Sequence, residues 1–231
     1  MSHVNILSGG AAHGLVSSLA PVFRTQTGFE IKGEFGAVGG MADKLRQGVA
    51  ADLIILTSAL VTKLAAETLV AASSIKDVGL VETALAVRSG DAKLSVKSAD
   101  DLRVAFLAAD AIFVPDTKAS TAGIHVAKVL AQLGIAVEVA ARLKIHSNGA
   151  TAMRELAASD TKRPIGCTQS TEIIATKGVE LSGSLPSGCE LVTTYAAAVT
   201  TGATHAQEAQ TLIALLTGTT AAQARRDAGF L

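Results

Sequence analysis

The sequence predicts an α/β protein made of two doubly wound lobes joined by two crossover strands. Three observations carry this expectation. Short β-branched or aliphatic runs alternate with helix-patterned stretches along nearly all of the 231 residues, which marks parallel strands covered by helices. Apolar residues make up 49% of the chain, yet aromatics are only 3% and Trp is absent. The core must therefore be built from Ala, Val, Leu and Ile, as in sheets buried on both faces. The length suits two lobes of roughly 100 residues each, and strand-like runs near Leu80–Val87 and Leu191–Ala198 cross from one series of units to the other without a low-complexity linker, as a hinged pair requires. The lobes expected are 1–81 with 190–231, and 82–189, with a ligand cleft between them.

The elements follow in order. Val4–Leu7 is a first strand. The next stretch is a helix with Leu15, Leu19, Val22 and Phe23 on one stripe; Pro21 kinks it or starts a second segment, and Gly28 ends it. Phe29–Phe35 alternates as a second strand. Ala42–Gln47 is a short helix closed by Gly48, and Ala51–Leu56 is a buried third strand ending in Thr57-Ser58. After the strand Leu80–Val87 a second series begins, with helices over 101–109, 122–133, 150–158 and 171–176 and strands over 111–114, 143–145 and 164–168. A strand over 190–199 leads into closing helices over 205–216 and 221–228.

Composition also excludes partners. Twenty basic and twenty acidic residues cancel, so there is no basic field for nucleic acid and no polybasic anchor for lipid. No run approaches the ~20 apolar residues of a membrane span, and membrane insertion is not expected. Met1-Ser2-His3 leads straight into Val4–Leu7 with no charged n-region, long apolar region or cleavage site. The expectation is a cytoplasmic protein as the chain stands, and a periplasmic one if a leader has been removed. Cys167 and Cys189 are the only cysteines; they lack metal spacing and would pair only in an exported protein. No other His, Cys, Asp or Glu group has metal-ligand spacing, so no metal and no other cofactor is expected.

Three turns share one layout. Ser8-Gly9-Gly10-Ala11-Ala12-His13, Gly36-Ala37-Val38-Gly39-Gly40-Met41 and Ala119-Ser120-Thr121-Ala122-Gly123 each join a strand-like run to a helix-patterned stretch. Each offers unpaired backbone N–H groups and the positive end of a helix dipole, and three together form a candidate small-anion site. Ser120 or Thr121 is a candidate cap and ligand donor, and Lys118 is the nearest counter-charge. Asn148, before the Gly149-Ala150 helix start, is a good N-cap whose amide is also a ligand candidate. Arg154 is a candidate clamp if it faces inward. Gln169, between a buried strand and a helix, can both donate and accept. His13 is the candidate general base. His125 and His146 read as packing or surface histidines, and Ser8 as a turn residue.

Taken together, the Gly-rich first turn, the strand Phe29–Phe35 with its small-residue turn, and Gly48-Val49-Ala50-Ala51-Asp52-Leu53-Ile54-Ile55 resemble the periplasmic molybdate-binding protein family. So do Val78–Val87, Pro115-Asp116, Ala122-Gly123-Ile124 and Thr194–Val199. The likeness runs in order over nearly the whole chain; no single motif is specific, but their succession is. It implies the type 2 periplasmic-binding-protein fold, two lobes closing over an anion. The family's ligand contacts fall on Ala11, on Ala37 or Val38, on Ala122, near Ser147 or Asn148, and on Gln169. The family places serine hydroxyls at the first two positions and often tyrosine at the last, which this chain lacks. Each lost bond to a charged group is worth about 1.5–3 kcal/mol, so the resemblance with these departures favours an organic carboxylate over molybdate.

The expected function is therefore binding of a small anion, a di- or tricarboxylate, through Gly9, Gly10, Ala11, Ala12, Ala37, Val38, Gly39, Ser120, Thr121, Ala122, Asn148, Gly149 and Gln169. An ABC permease is a partner only if the protein is exported. Two alternatives stay open. One is a cytosolic isomerase similar to aconitate isomerase, shifting an allylic proton of an unsaturated carboxylate with His13 as base. The other is a molybdate or tungstate receptor of an ABC transporter. Whether the chain is an enzyme is left undecided by its residues.

Overall fold

A computed structural model describes residues 2–231; Met1, the first residue of the expected N-terminal lobe, lies outside the described residues. In chain order the elements are β1 (His3–Gly9), a 3-10 turn (Gly10–Ala12), α1 (His13–Thr27), β2 (Glu30–Gly36), α2 (Val38–Arg46), β3 (Leu53–Thr57), α3 (Ser58–Ala66) and β4 (Lys76–Arg88). Then come α4 (Ala99–Ala108), β5 (Ala111–Pro115), α5 (Thr121–Gln132), α6 (Ala136–Val139), β6 (Leu143–His146), α7 (Gly149–Ala158), β7 (Pro164–Gln169), α8 (Ser170–Ile174) and β8 (Val179–Ser184). The chain closes with β9 (Val192–Val199), α9 (Ala206–Thr217) and α10 (Ala222–Asp227). Two compact units result. The first runs to Val81 and resumes over Thr193–Leu231; the second is Glu82–Val192. Among the described residues no helix is long and apolar enough to cross a membrane.

In the first unit β2, β1 and β3 are parallel neighbours and β9 lies antiparallel on β3. Its core joins Ile6 and Leu53–Leu56 of the sheet to Leu15 and Phe23 of α1 and Leu212 of α9. A buried carboxylate pins the start of α9. Asp52 accepts the Asn5 N–H (2.8 Å) on one oxygen, and the Thr204 N–H, the Thr204 hydroxyl and the His205 N–H on the other (2.8, 3.1 and 2.9 Å). Burial is the largest single influence and pushes this carboxyl up. The donors of Asn5, His205 and Thr204 together outweigh it and hold Asp52 below the usual carboxylate range.

In the second unit β7, β5 and β6 are parallel, β4 runs antiparallel to β7, and β8 runs antiparallel to β4. Alternation along the strands builds one apolar layer per face. Leu85, Ile112 and Cys167 pack with Phe106 of α4 and Val126 of α5. Ala84, Ala86 and Phe113 pack with Met153 and Leu156 of α7 and Ile173 of α8. Both cysteines are free thiols, and burial pushes Cys167 up to about 12.

Three elements were missed in the sequence: α3, the four-residue α6, and β8. Pro21 does not split the first helix, because α1 continues through it to Thr27. The second helix begins at Val38, four residues before its expected start, since Gly39 and Gly40 sit in its first turn.

Candidate functional site

Each unit gathers its candidate residues at the carboxyl edge of its parallel strands, where open α/β sheets bind ligands. In the first unit the register pairs Gly9 with Gly36. The turn Gly10–Ala12 and the turn at Ala37 thus leave the sheet side by side. Among the described residues no side-chain hydrogen bond caps α1 or α2. The first main-chain bond into α2 is Met41 N–H to Ala37 O, 3.0 Å, which leaves the N–H groups of Val38, Gly39 and Gly40 ahead of the helix ladder. Gly10, Ala11, Ala12 and Val38 are buried. The edge continues through Thr57, which pairs with Tyr195 of β9. The Tyr195 ring lies against Gly9, where a Cβ would meet it at 3.0 Å. His13 opens α1, is exposed, and packs its ring on Phe35 with centroids 4.5 Å apart.

In the second unit the edge reads Thr83, Gln169, Pro115 and His146 across β4, β7, β5 and β6, with Thr83 opposite Gln169 and Pro115 opposite His146. Asp116 shapes the turn into α5. Its carboxylate accepts the Lys118 and Ala119 N–H groups (2.7 and 2.9 Å), which, in that order, hold it below the usual range. Ser120 donates its N–H to Asp116 O and caps no N–H with its side chain. The first bond into the helix is Ile124 N–H to Ser120 O, 2.9 Å, so the N–H groups of Thr121, Ala122 and Gly123 stand ahead of it. Gly123 is required here, because a Cβ would collide with the carbonyl oxygens of Pro115 and Asp116.

Gln169 is the N-cap of α8 and 3% exposed, and neither amide atom has a hydrogen-bond partner. Thr83 (1% exposed) and Thr171 (2% exposed) likewise have buried hydroxyls without partners. Gln169 follows Cys167 by two residues, and Thr83 precedes Leu85 by two. Both therefore share the sheet face on which α5 packs. The His146 ring stacks on Phe113 at 5.8 Å, with a buried, unpartnered Nε2. Buried polar atoms in native proteins nearly always have partners, so this concentration makes the edge a candidate binding surface.

The remaining helix start on this edge is occupied from within. Glu172, 6% exposed, accepts the Thr168 hydroxyl at 2.6 Å and the backbone N–H groups of Gln169, Ala150 and Gly149. Its bond to the N-cap residue Gln169 is the reciprocal half of a capping box, and its bonds to Gly149 and Ala150 satisfy the start of α7. Burial, the largest influence, still leaves its carboxyl raised. Gly149 makes room for it: a Cβ would collide with Glu172 Oε2 and Thr168 Oγ1. Asn148 accepts the Thr151 N–H at 2.8 Å, and its amide nitrogen donates to Ser147 Oγ at 3.3 Å.

The structure thus groups Gly9, Gly10, Ala11, Ala12, Ala37, Val38 and Gly39 on one edge and Ser120, Thr121, Ala122, Asn148, Gly149 and Gln169 on the other. The donors of Asn148 and Gly149 are already engaged. Lys118 and Arg154 are exposed, Arg154 donating to Thr151 Oγ1 at 2.9 Å, and His125 Nε2 bonds Cys189 O at 2.8 Å. Thr83, Thr171, Glu172 and Tyr195 were not singled out in the sequence as site residues. The Gln-x-x-Glu spacing ahead of Ile173 was the available signal for Glu172.

A family model described as bacterial extracellular solute-binding protein matches residues 4–231, and the chain belongs to that family. Its fold is that of the periplasmic molybdate-binding protein of Azotobacter vinelandii, with a TM-score of 0.84 at 15% identity over 99% of both chains. The sulfate-binding protein SubI of Mycobacterium tuberculosis H37Rv is also similar, with a TM-score of 0.77 at 18% identity over 100% of this chain and 86% of that one. Among characterised sequences the chain is similar to an aconitate isomerase of a Pseudomonas species, 26% identical over 237 residues, covering 98% of this chain and 86% of the relative.

Proposed function

We propose that the protein binds a small organic di- or tricarboxylate at the helix-start turns that follow its parallel strands. The supporting observation is the make-up of the first edge. Its donors are backbone N–H groups flanked by buried Ala11, Ala12 and Val38, with no hydroxyl where the resembling family carries serine. Carboxylates suit such helix-start donors, and the apolar flanks suit the carbon skeleton that a bare oxyanion lacks. An exported chain would deliver this ligand to an ABC permease; a cytoplasmic one would not.

The test is a thermal-shift and calorimetric panel of citrate, aconitate, malate, succinate, molybdate and sulfate. A carboxylate at about 100 times its Kd should stabilise the protein by about 2.7 kcal/mol. Stabilisation by molybdate or sulfate with no response to any carboxylate would overturn the reading.

The likeness to aconitate isomerase favours a second reading, an allylic proton shift with His13 as the base. Deuterium exchange into aconitate, followed by NMR and abolished in His13→Ala, is expected from it. Exchange that survives the substitution removes His13 from that role.

A further inference from the structure

The two amide atoms of Gln169 make a demand that an oxyanion cannot meet. Both are buried and without partners, in a side chain 3% exposed. The nitrogen can only donate and the oxygen can only accept. Interchanging the two leaves the same pair of requirements at the same place. The neighbouring Thr83 and Thr171 hydroxyls are also buried and unpartnered. Each can donate to a ligand oxygen, so the edge as a whole is well supplied with donors. The Gln169 carbonyl oxygen is the exception. Facing a ligand that carries only lone pairs, it would be left buried against negative oxygens, the costly case for a hydrogen-bonding group.

Resting on the carboxylate reading above, we infer that the ligand presents a hydroxyl group to Gln169, so that the substrate class is a hydroxycarboxylate. A hydroxyl donates to the Gln169 carbonyl and accepts from its amide N–H or from the Thr83 hydroxyl, which lies opposite in the β4–β7 register. A protonated carboxyl has the same hydrogen. Keeping that proton at neutral pH, about three units above an ordinary carboxyl pKa, would weaken binding roughly a thousandfold. Glu172 holds this arrangement in place. Its carboxylate receives the Gln169 backbone N–H, so the amide is carried by a helix start whose own backbone donor is already used.

Matched ligand pairs that differ only by the hydroxyl test this: citrate against tricarballylate, and malate against succinate, titrated calorimetrically into the whole protein at pH 7.5. The hydroxylated member of at least one pair should bind about tenfold tighter or more. In Gln169→Met, which keeps the volume and removes both polar atoms, that preference should fall to within about twofold. Equal affinities within both pairs for the wild-type protein would overturn the inference while leaving the carboxylate reading intact. So would a preference undiminished in Gln169→Met. Binding of molybdate or sulfate with no carboxylate bound would overturn both together. The wild-type comparison decides the matter even if the variant does not fold.

Discussion

Two helix starts, that of α2 in the first unit and that of α7 in the second, are handled in opposite ways. In the first unit α2 begins with Val38, Gly39 and Gly40, its N–H groups ahead of the helix ladder and no side-chain cap. In the second unit α7 begins with Gly149 and Ala150, and their N–H groups are held by the buried carboxylate of Glu172. The same backbone geometry is thus offered to a ligand in one place and closed in the other. An internal carboxylate answers the dipole and the orphan donors as an external one would. Beside the open start of α5, the second unit offers side-chain chemistry, at Gln169, Thr83 and Thr171. The first unit's turns present main-chain donors; the second adds buried side-chain donors and one side-chain acceptor to the open start of α5.

The largest expected effect comes from breaking the closed start. Gly149→Ala places a methyl group where Glu172 Oε2 and Thr168 Oγ1 already sit. The carboxylate must leave, stranding the Gly149 and Ala150 donors and its own charge. A loss of about 3 kcal/mol or more is expected in urea unfolding. A loss below about 1 kcal/mol would mean that the network repacks freely and that the carboxylate is not fixed there.

A second contrast separates the two buried carboxylates by pH. Asp52 is held low by its donors, so its contribution is complete above the unfolded value near 3.9 and disappears as pH falls through the folded one. Glu172 is held high by burial. Its contribution is complete below the unfolded value near 4.3 and is lost as pH rises through the folded one. Lowering the pH from 7 toward 4.5 should therefore raise the stability of the wild type relative to Glu172→Gln. Taking it below about 4 should lower the wild type relative to Asp52→Asn. Chemical denaturation across this range checks both slopes, and two slopes of the same sign would sink the distinction.

Much of the fold was legible because it rests on local patterns. Alternating Phe29–Phe35, the aliphatic run at Leu53–Leu56 and the stripe of α1 each declare themselves within a dozen residues. The misses have local causes too. Helix α3 has only Val61 and Leu64 buried, a stripe too thin to read. Strand β8 carries Gly183 and two serines, weak strand formers. The site was legible as a set of turns, since small residues after aliphatic runs advertise helix starts. It was not legible which starts were occupied. Glu172 reaches Gly149 across the strand β7, and its capping box is disguised because Gln169 stands where Ser, Thr, Asp or Asn is usual. The solitude of the Gln169 amide is likewise a property of packing, invisible in a list of neighbours along the chain.

The smallest effect is expected at the open start. Gly40 lies in the first turn of α2, and a Cβ added there meets nothing within 4 Å. Gly40→Ala removes conformational freedom from the unfolded chain and obstructs nothing in the folded one, for a gain of about 0.5 kcal/mol. That should appear as a rise of about 1–2 °C in Tm. The substitution leaves the Gly40 N–H untouched, so it also probes how the ligand uses this edge. Unchanged affinity for the best carboxylate of the panel is expected if contact is made through main-chain donors, with the ligand body kept clear of the added methyl. An affinity loss of tenfold or more, with the Tm gain preserved, would instead place the ligand body over Gly40. The open start would then be a shaped wall of the site as well as a set of donors.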